Sequence, residues 1–186
     1  MYNNHPKRSQ KIDLQAQNLE EVSATNVKCF REIPEFVIVA QNAKDGRHLK
    51  THCVTVFVLL RNGTFLDIHL LQNKTVCERK RELPVPYVRY EDWPEYRVFE
   101  DPLNKNVVLS LNTLGVKVSW DGISFVEIVL SKKHQSNVCG LCGNFNGNAE
   151  DDLLPKHGST TTSVIKFAKS WRYGNQCYAS LESNKC

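Results

Sequence analysis

The 186-residue chain has no apolar run long enough to cross a membrane as a helix, which takes roughly 18 residues or more. Its opening, MYNNHPKRSQKIDLQAQNLEE, also lacks the apolar centre of a secretory signal peptide. No Gly-x-Ser-x-Gly elbow and no Gly-rich phosphate loop is present, so neither a serine hydrolase nor a nucleotide-binding enzyme is expected. Internal repeats and low-complexity tracts are missing too. Net charge is a modest +4. The basic residues come without a recognition helix, an aromatic stacking motif or finger spacing, and nucleic acid is therefore not an expected partner.

What is present suits one compact domain with a real core: 41% of residues are apolar and 24% charged. Seven cysteines supplement such a core rather than replace it, and their odd number leaves at least one thiol free or paired outside this chain. Asn62-Gly63-Thr64 and Asn73-Lys74-Thr75 fit the N-glycosylation pattern and point to the cell exterior. Together with the missing signal segment, they suggest a fragment or variant of a secreted protein without its true N-terminus. The basic clusters HPKRSQK, DGRHLK, CERKRE and SKKH read either as solvated loops and edge-strand protection or as a patch for heparan sulfate and similar glycans.

The dominant rhythm is strand and turn. FVIVA (36–40) and CVTVFVLL (53–60) are rich in β-branched and aromatic residues, and RNGT supplies an Asn-Gly hairpin turn. TFLDIHLL then places Leu66, Ile68 and Leu70 on one face, with Asp67 and His69 on the other. The charged CERKRELPVP (77–86) reads as an interruption, its two prolines arguing against a central strand. Beyond it YRVFE, NVVLSL, GVKVSW and SFVEIVL follow at short spacing between good turn formers. Val116, Val118 and Trp120 share a face, with Lys117 and Ser119 turned away. The fold class expected is mainly β, an antiparallel sandwich-like domain with one short C-terminal helix in TTTSVIKFAKSW. Thr162 or Ser163 can cap that helix, and Val164, Phe167, Ala168 and Trp171 form an apolar stripe to lay on the sheet.

The chemistry concentrates in CGLCGNFNGNAEDDL (139–153), which admits three readings. A redox Cys-x-x-Cys belongs at the start of a helix, and GNFNGN does not start one. A structural zinc site needs a second ligand pair, and His48, His52 with Cys53, or His134 with His157, lack finger or ribbon spacing. The third is a loop in which Asn144, Asn146 and Asn148 alternate ahead of Asp151 and Asp152, gathering hard oxygen donors suited to calcium. It is not an EF-hand, and an Asn/Gly turn cluster with no ion is its structural alternative. No catalytic residue is expected anywhere in the chain.

CGLCGNFNGNAEDDL resembles the signature of the von Willebrand factor type D family. FAKSWRYGNQC is similar to that family's ending, and VKCFREIPEFVIVAQN to its early cysteine and strand. The resemblance covers 29–177, preceded by a polar, disordered lead-in (1–28) and followed by a tail (178–186). It implies an extracellular, β-rich, non-enzymatic glycoprotein domain, with calcium ligands at Asn144, Asn146, Asp151 and Asp152, assisted by Asn148. It also implies a disulfide between Cys29 and Cys139. Cys53 and Cys77, flanking the hairpin, form a further candidate pair. The family's Gly-Asp-Pro-His opening, its upstream calcium-site aspartate and its first cysteine-bearing strand are absent, which leaves Cys142 and Cys177 without their expected partners. Cys186 has none assigned. LGVKVSWDGISFVEIVL is most similar to the crossveinless, BMP-binding endothelial regulator and Kielin/chordin-like group. That implies a secreted regulator of BMP signalling, with BMP-type growth factors, chordin-like antagonists or heparan sulfate as partners. The alternative is a structural, assembly-type domain as in mucins, tectorins or otogelin.

Overall fold

The computed structural model describes residues 10–12, 21–25, 35–45, 48–59, 65–90, 94–156 and 161–172. In chain order its strands are β1 (Gln10–Ile12), β2 (Glu21–Thr25), β3 (Val37–Asp45), β4 (His48–Leu59), β5 (Phe65–Leu71), β6 (Val76–Glu78) and β7 (Arg81–Leu83). Then come β8 (Tyr87–Arg89), β9 (Tyr96–Glu100), β10 (Val107–Leu111), β11 (Val116–Trp120), β12 (Val126–Leu130) and β13 (Cys139–Gly140), followed by a helix, α1 (Val164–Ser170). The strands form two antiparallel sheets, a six-stranded β1-β12-β11-β10-β9-β8 and a seven-stranded β13-β2-β3-β4-β5-β6-β7.

Alternation along the strands makes this a sandwich. Leu66, Ile68 and Leu70 of β5 and Phe36 and Ile38 from the β3 region turn one way from the seven-stranded sheet. They meet Val98, Leu109, Val118 and Trp120 of the other sheet in one buried cluster. Trp120 joins the layers by a polar bond as well, its Nε1–H donating to the Leu71 carbonyl at 2.8 Å. A buried indole needs such a partner, because an unpaired N–H in the core is costly. Ser119, expected to face away, is buried, and its hydroxyl receives a 3.2 Å bond from Asn106 Nδ2.

Three expectations change. First, the stretch 1–28 is not only a lead-in: β1 pairs with β12, and β2 lies between β13 and β3. A strand as short and weakly apolar as EVSAT carries little pattern of its own, and ladder bonds on both sides supply what its side chains do not. Second, CERKRELPVP contains a hairpin, with Glu78 opposite Arg81. Its turn residues Arg79 and Lys80 take φ of 48° and 66°, conformations usually signalled by Asn-Gly. Pro84 and Pro86 follow, where the chain passes from β7, one sheet's edge, to β8, the other's, so they interrupt no central ladder.

Third, the helical stripe is only partly used. Ser163 is the N-cap, its oxygen accepting from Lys166 N at 3.4 Å. Phe167, Ala168 and Trp171 are buried, but Val164, the first helical residue, is 63% exposed. Phe167 and Trp171 do not join the sandwich core. They cluster with Cys139, with Leu141 and Leu153 packed alongside.

Candidate functional site

β13 delivers the cysteine motif. Cys139 lies opposite Thr25 and Gly140 opposite Ala24, so the motif starts as an edge strand and leaves the sheet at once. Gly143 N–H closes a turn on the Gly140 carbonyl at 3.1 Å. Gly143 has φ of 83°, and a Cβ there would lie 2.1 Å from Asp152 Oδ1. Only glycine permits both the left-handed backbone and this close carboxylate. Phe145 also has positive φ, and it packs against the sandwich core, pinning the loop from below.

The alternating asparagines organise the loop through their own side chains. Asn144 Oδ1 accepts from Asn146 N at 3.0 Å, Asn146 Oδ1 from Asn148 N at 2.7 Å, and Asn148 Oδ1 from Glu150 N at 3.1 Å. These successive turns explain the spacing of two, and each oxygen keeps a second lone pair. Asn146 Nδ2 donates to Asp151 Oδ2 at 2.7 Å, and Asn144 N to Asp152 Oδ1 at 3.4 Å. Asp151 Oδ1, by contrast, is buried with no hydrogen-bond partner. Among the described residues, no cluster of three or more His, Cys, Asp or Glu is placed to hold a metal. A cation here would therefore rest on two carboxylates, amide oxygens and backbone carbonyls. That donor set suits a hard ion such as calcium, and the orphaned Asp151 oxygen is a group such an ion would satisfy. Asn144, Asn146, Asp151 and Asp152 are half-buried, whereas Asn148 lies exposed at the rim.

The two cysteines of the motif are in different states. Cys139 is disulfide-bonded and Cys142 is free. Part of residue 142 reaches the surface, but its thiol is enclosed: burial pushes it up to about 12, and the neighbouring Asp152 carboxylate adds to the shift. A redox Cys-x-x-Cys requires the reverse, a thiolate favoured near neutral pH and a partner able to bridge to it.

A family profile described as the von Willebrand factor type D domain matches residues 16–159, most of the chain. The chain belongs to this family. Bovine von Willebrand factor is 33% identical over 114 residues, covering 61% of this chain and 12% of that protein. Human zonadhesin is 27% identical over 139 residues (75% of this chain, 5% of the relative), and mouse Mucin-19 is 38% identical over 63 residues (34% and 1%). The chain thus spans a small fraction of the curated relatives it matches.

Within this type D domain the remaining sequence-marked residues are dispersed. Cys77 is disulfide-bonded, and β6, which carries it, is separated by β5 from β4, which carries Cys53. Cys29, Cys177, Cys186, Asn62 and His157 lie outside the described residues, as do the side chains of Cys53, His48 and His52. His134 is buried, edge-on to Phe36 at 5.3 Å, with Nε2 donating to the Leu114 carbonyl at 2.5 Å. Of the basic clusters, Arg79 and Lys80 form the β6–β7 turn, while Lys132 and Lys133 begin a single 3₁₀ turn before the motif. Sequence reasoning did not single out Gly143 as a loop determinant. The closeness of its backbone to Asp152 leaves no local trace.

Proposed function

We propose that this type D domain is a non-catalytic structural and assembly module of an extracellular matrix glycoprotein, of the mucin- and otogelin-like kind. The observation that carries this reading is the family match over 16–159, together with relatives that include von Willebrand factor, Mucin-19, Mucin-5B, otogelin-like protein and SCO-spondin. These relatives favour assembly over the regulation of BMP signalling, which rested on the likeness of one strand-turn-strand segment. An extracellular setting accords with the disulfides at Cys77 and Cys139, since bridges persist outside the reducing cytosol.

In this role the cysteine loop is a structural latch. A disulfide from Cys139 to Cys29 would tie the chain ahead of β3 to the loop, and the register supports it: Thr25, four positions before Cys29, lies opposite Cys139. Asn144, Asn146, Asp151 and Asp152 would hold one calcium ion, with Asn148 at the rim. The ion would supply positive charge to the Asp151 carboxylate and cross-link the loop.

The test compares assembly with growth-factor binding in the protein secreted from cells. Light scattering and non-reducing gels in calcium should reveal self-association or association with other type D domains. Immobilised BMP, chordin-like antagonist and heparan sulfate should show no saturable binding. A strictly monomeric protein that binds BMP tightly would reverse the assignment.

A further inference from the structure

The glycosylation motifs are a chemical signal that the assembly reading leaves unused. Asn73 lies in the turn between β5 and β6, with φ of 57°, followed by Lys74 at 63°. Main-chain contacts fix this turn. Asn73 N–H donates to the Gly122 carbonyl at 3.3 Å, and Thr75 N–H to the Gln72 carbonyl at 3.4 Å. Gly122 has φ of 83°, and a Cβ there would sit 2.8 Å from Lys74 Cγ, so the two turns approach as closely as glycine allows. Lys74 Nζ donates to the Lys105 carbonyl, tying in a third turn.

None of this uses the Asn73 side chain. In the neighbouring 101–106 turn, by contrast, Asn104 Oδ1 accepts from Asn106 N and Asn106 Nδ2 donates to Ser119. Asn73 is exposed, and its side-chain amide makes no hydrogen bond with any described residue. The same end of the sandwich shows apolar side chains to solvent: Leu103 is 92% exposed and Ile123, next to Gly122, 61%.

The strand register places this end opposite the cysteine loop. Val107 pairs with Trp120 and Glu100, so the 101–106 and 121–125 turns emerge together beside Asn73. Leu111 pairs with Val116 at the other end, where Ser131 N bonds the Gly115 carbonyl and Ser136 N the Phe145 carbonyl within the loop.

We propose that Asn73 carries an N-linked glycan that covers Leu103 and Ile123, caps this end of the sandwich and leaves the cysteine-loop end for contacts. In the step, the Asn73 side-chain nitrogen bonds to C1 of an oligosaccharide carried on a lipid pyrophosphate. The bond from C1 to the pyrophosphate oxygen breaks, the lipid pyrophosphate leaves with the electron pair, and one amide proton is released. The Thr75 hydroxyl completes the acceptor motif. This inference rests on the extracellular reading, because transfer takes place in the secretory lumen.

The full chain is translated into endoplasmic reticulum microsomes and, behind an added leader, secreted from cells. Peptide mass spectrometry after glycosidase release should find Asn73 converted to aspartate, and Asn73→Gln and Thr75→Ala should each remove one mobility shift. Enzymatic deglycosylation should raise binding of a hydrophobic dye, and Leu103→Ser with Ile123→Ser should abolish that rise. An unmodified Asn73 in translocated chain beside a modified Asn62 overturns this site while leaving the extracellular reading intact. Neither asparagine modified after protease-protected translocation overturns the glycan proposal for both motifs. A glycosylated Asn73 whose removal leaves dye binding unchanged overturns the cap.

Discussion

Replacing Asp151 with asparagine separates a cation site from a cluster of turns. Asp151 Oδ2 has its bond from Asn146, while Oδ1 is buried and unpartnered. A buried acceptor left so costs about 1–3 kcal/mol unless something positive meets it. With two carboxylates and otherwise neutral oxygens, the affinity expected is that of extracellular calcium modules, roughly 10⁻⁴ to 10⁻³ M. About 10 mM calcium is then some 10 to 100 times the dissociation constant, which stabilises a fold that alone binds the ion by about 1.4–2.7 kcal/mol. At roughly 2–4 °C per kcal/mol for a domain of this size, the unfolding temperature should rise by about 3–10 °C over that in chelator. Asp151→Asn keeps the shape and removes the charge. It should leave the unfolding temperature in chelator nearly unchanged and lose most of the calcium-dependent rise. Scanning calorimetry of both proteins, with calcium and with chelator, reads the difference. A wild type that ignores calcium would reduce the asparagines to turn formers, and equal rises in both proteins would move the ion elsewhere.

Gly143→Ala must displace the Asp152 carboxylate from 2.1 Å and adopt positive φ, so it should cost about 2–4 kcal/mol in urea unfolding, summing backbone strain and a weakened charged hydrogen bond. Cys142, raised from 9.0 to about 12, is favoured by the fold in its protonated form. Its contribution is therefore complete below about pH 9 and lost as pH climbs towards about 12, so alkaline titration should weaken the fold in that window. The same thiol should resist a disulfide reagent at pH 8 until denaturant is added, and an insulin-reduction assay should match a Cys142→Ser control. Non-reducing peptide mapping should link Cys29 to Cys139; closing that loop of about 110 residues stabilises the fold by roughly 4–5 kcal/mol, and Cys29 recovered as a free thiol would refute the pairing.

The central strands were legible because large apolar residues recur in them at every second position. β5 shows its buried face as Leu66, Ile68 and Leu70, and β11 as Val116, Val118 and Trp120. β1, β2 and the β6–β7 hairpin were not: none carries enough strongly apolar residues at alternate positions to set a period, and the pairing of β1 and β2 also depends on β12 and β13, distant in the chain. The loop was legible as composition only. Asparagines at a spacing of two pointed to oxygen donors, but not to each oxygen capping the amide two residues on. Val164 fits the helical period and is nonetheless exposed, because periodicity describes a face and not what covers it.

The helix belongs to the loop more than to the sandwich. Trp171 Nε1–H donates to the Leu154 carbonyl at 3.1 Å, Lys156 N to Ser170 Oγ at 3.0 Å, and Thr161 N to the Leu153 carbonyl at 3.4 Å, so α1 closes over the segment that follows Asp152. Seven residues of helix are too few to persist alone, and this one is held by burying Phe167 and Trp171 against Cys139. Disulfide, carboxylates and helix thus converge on one small cluster set apart from the sandwich core. A change at Asp151 or Gly143 should accordingly loosen loop and helix together while the sheets remain formed, because the hydrogen bonds it disturbs belong to this loop and not to the layers beneath.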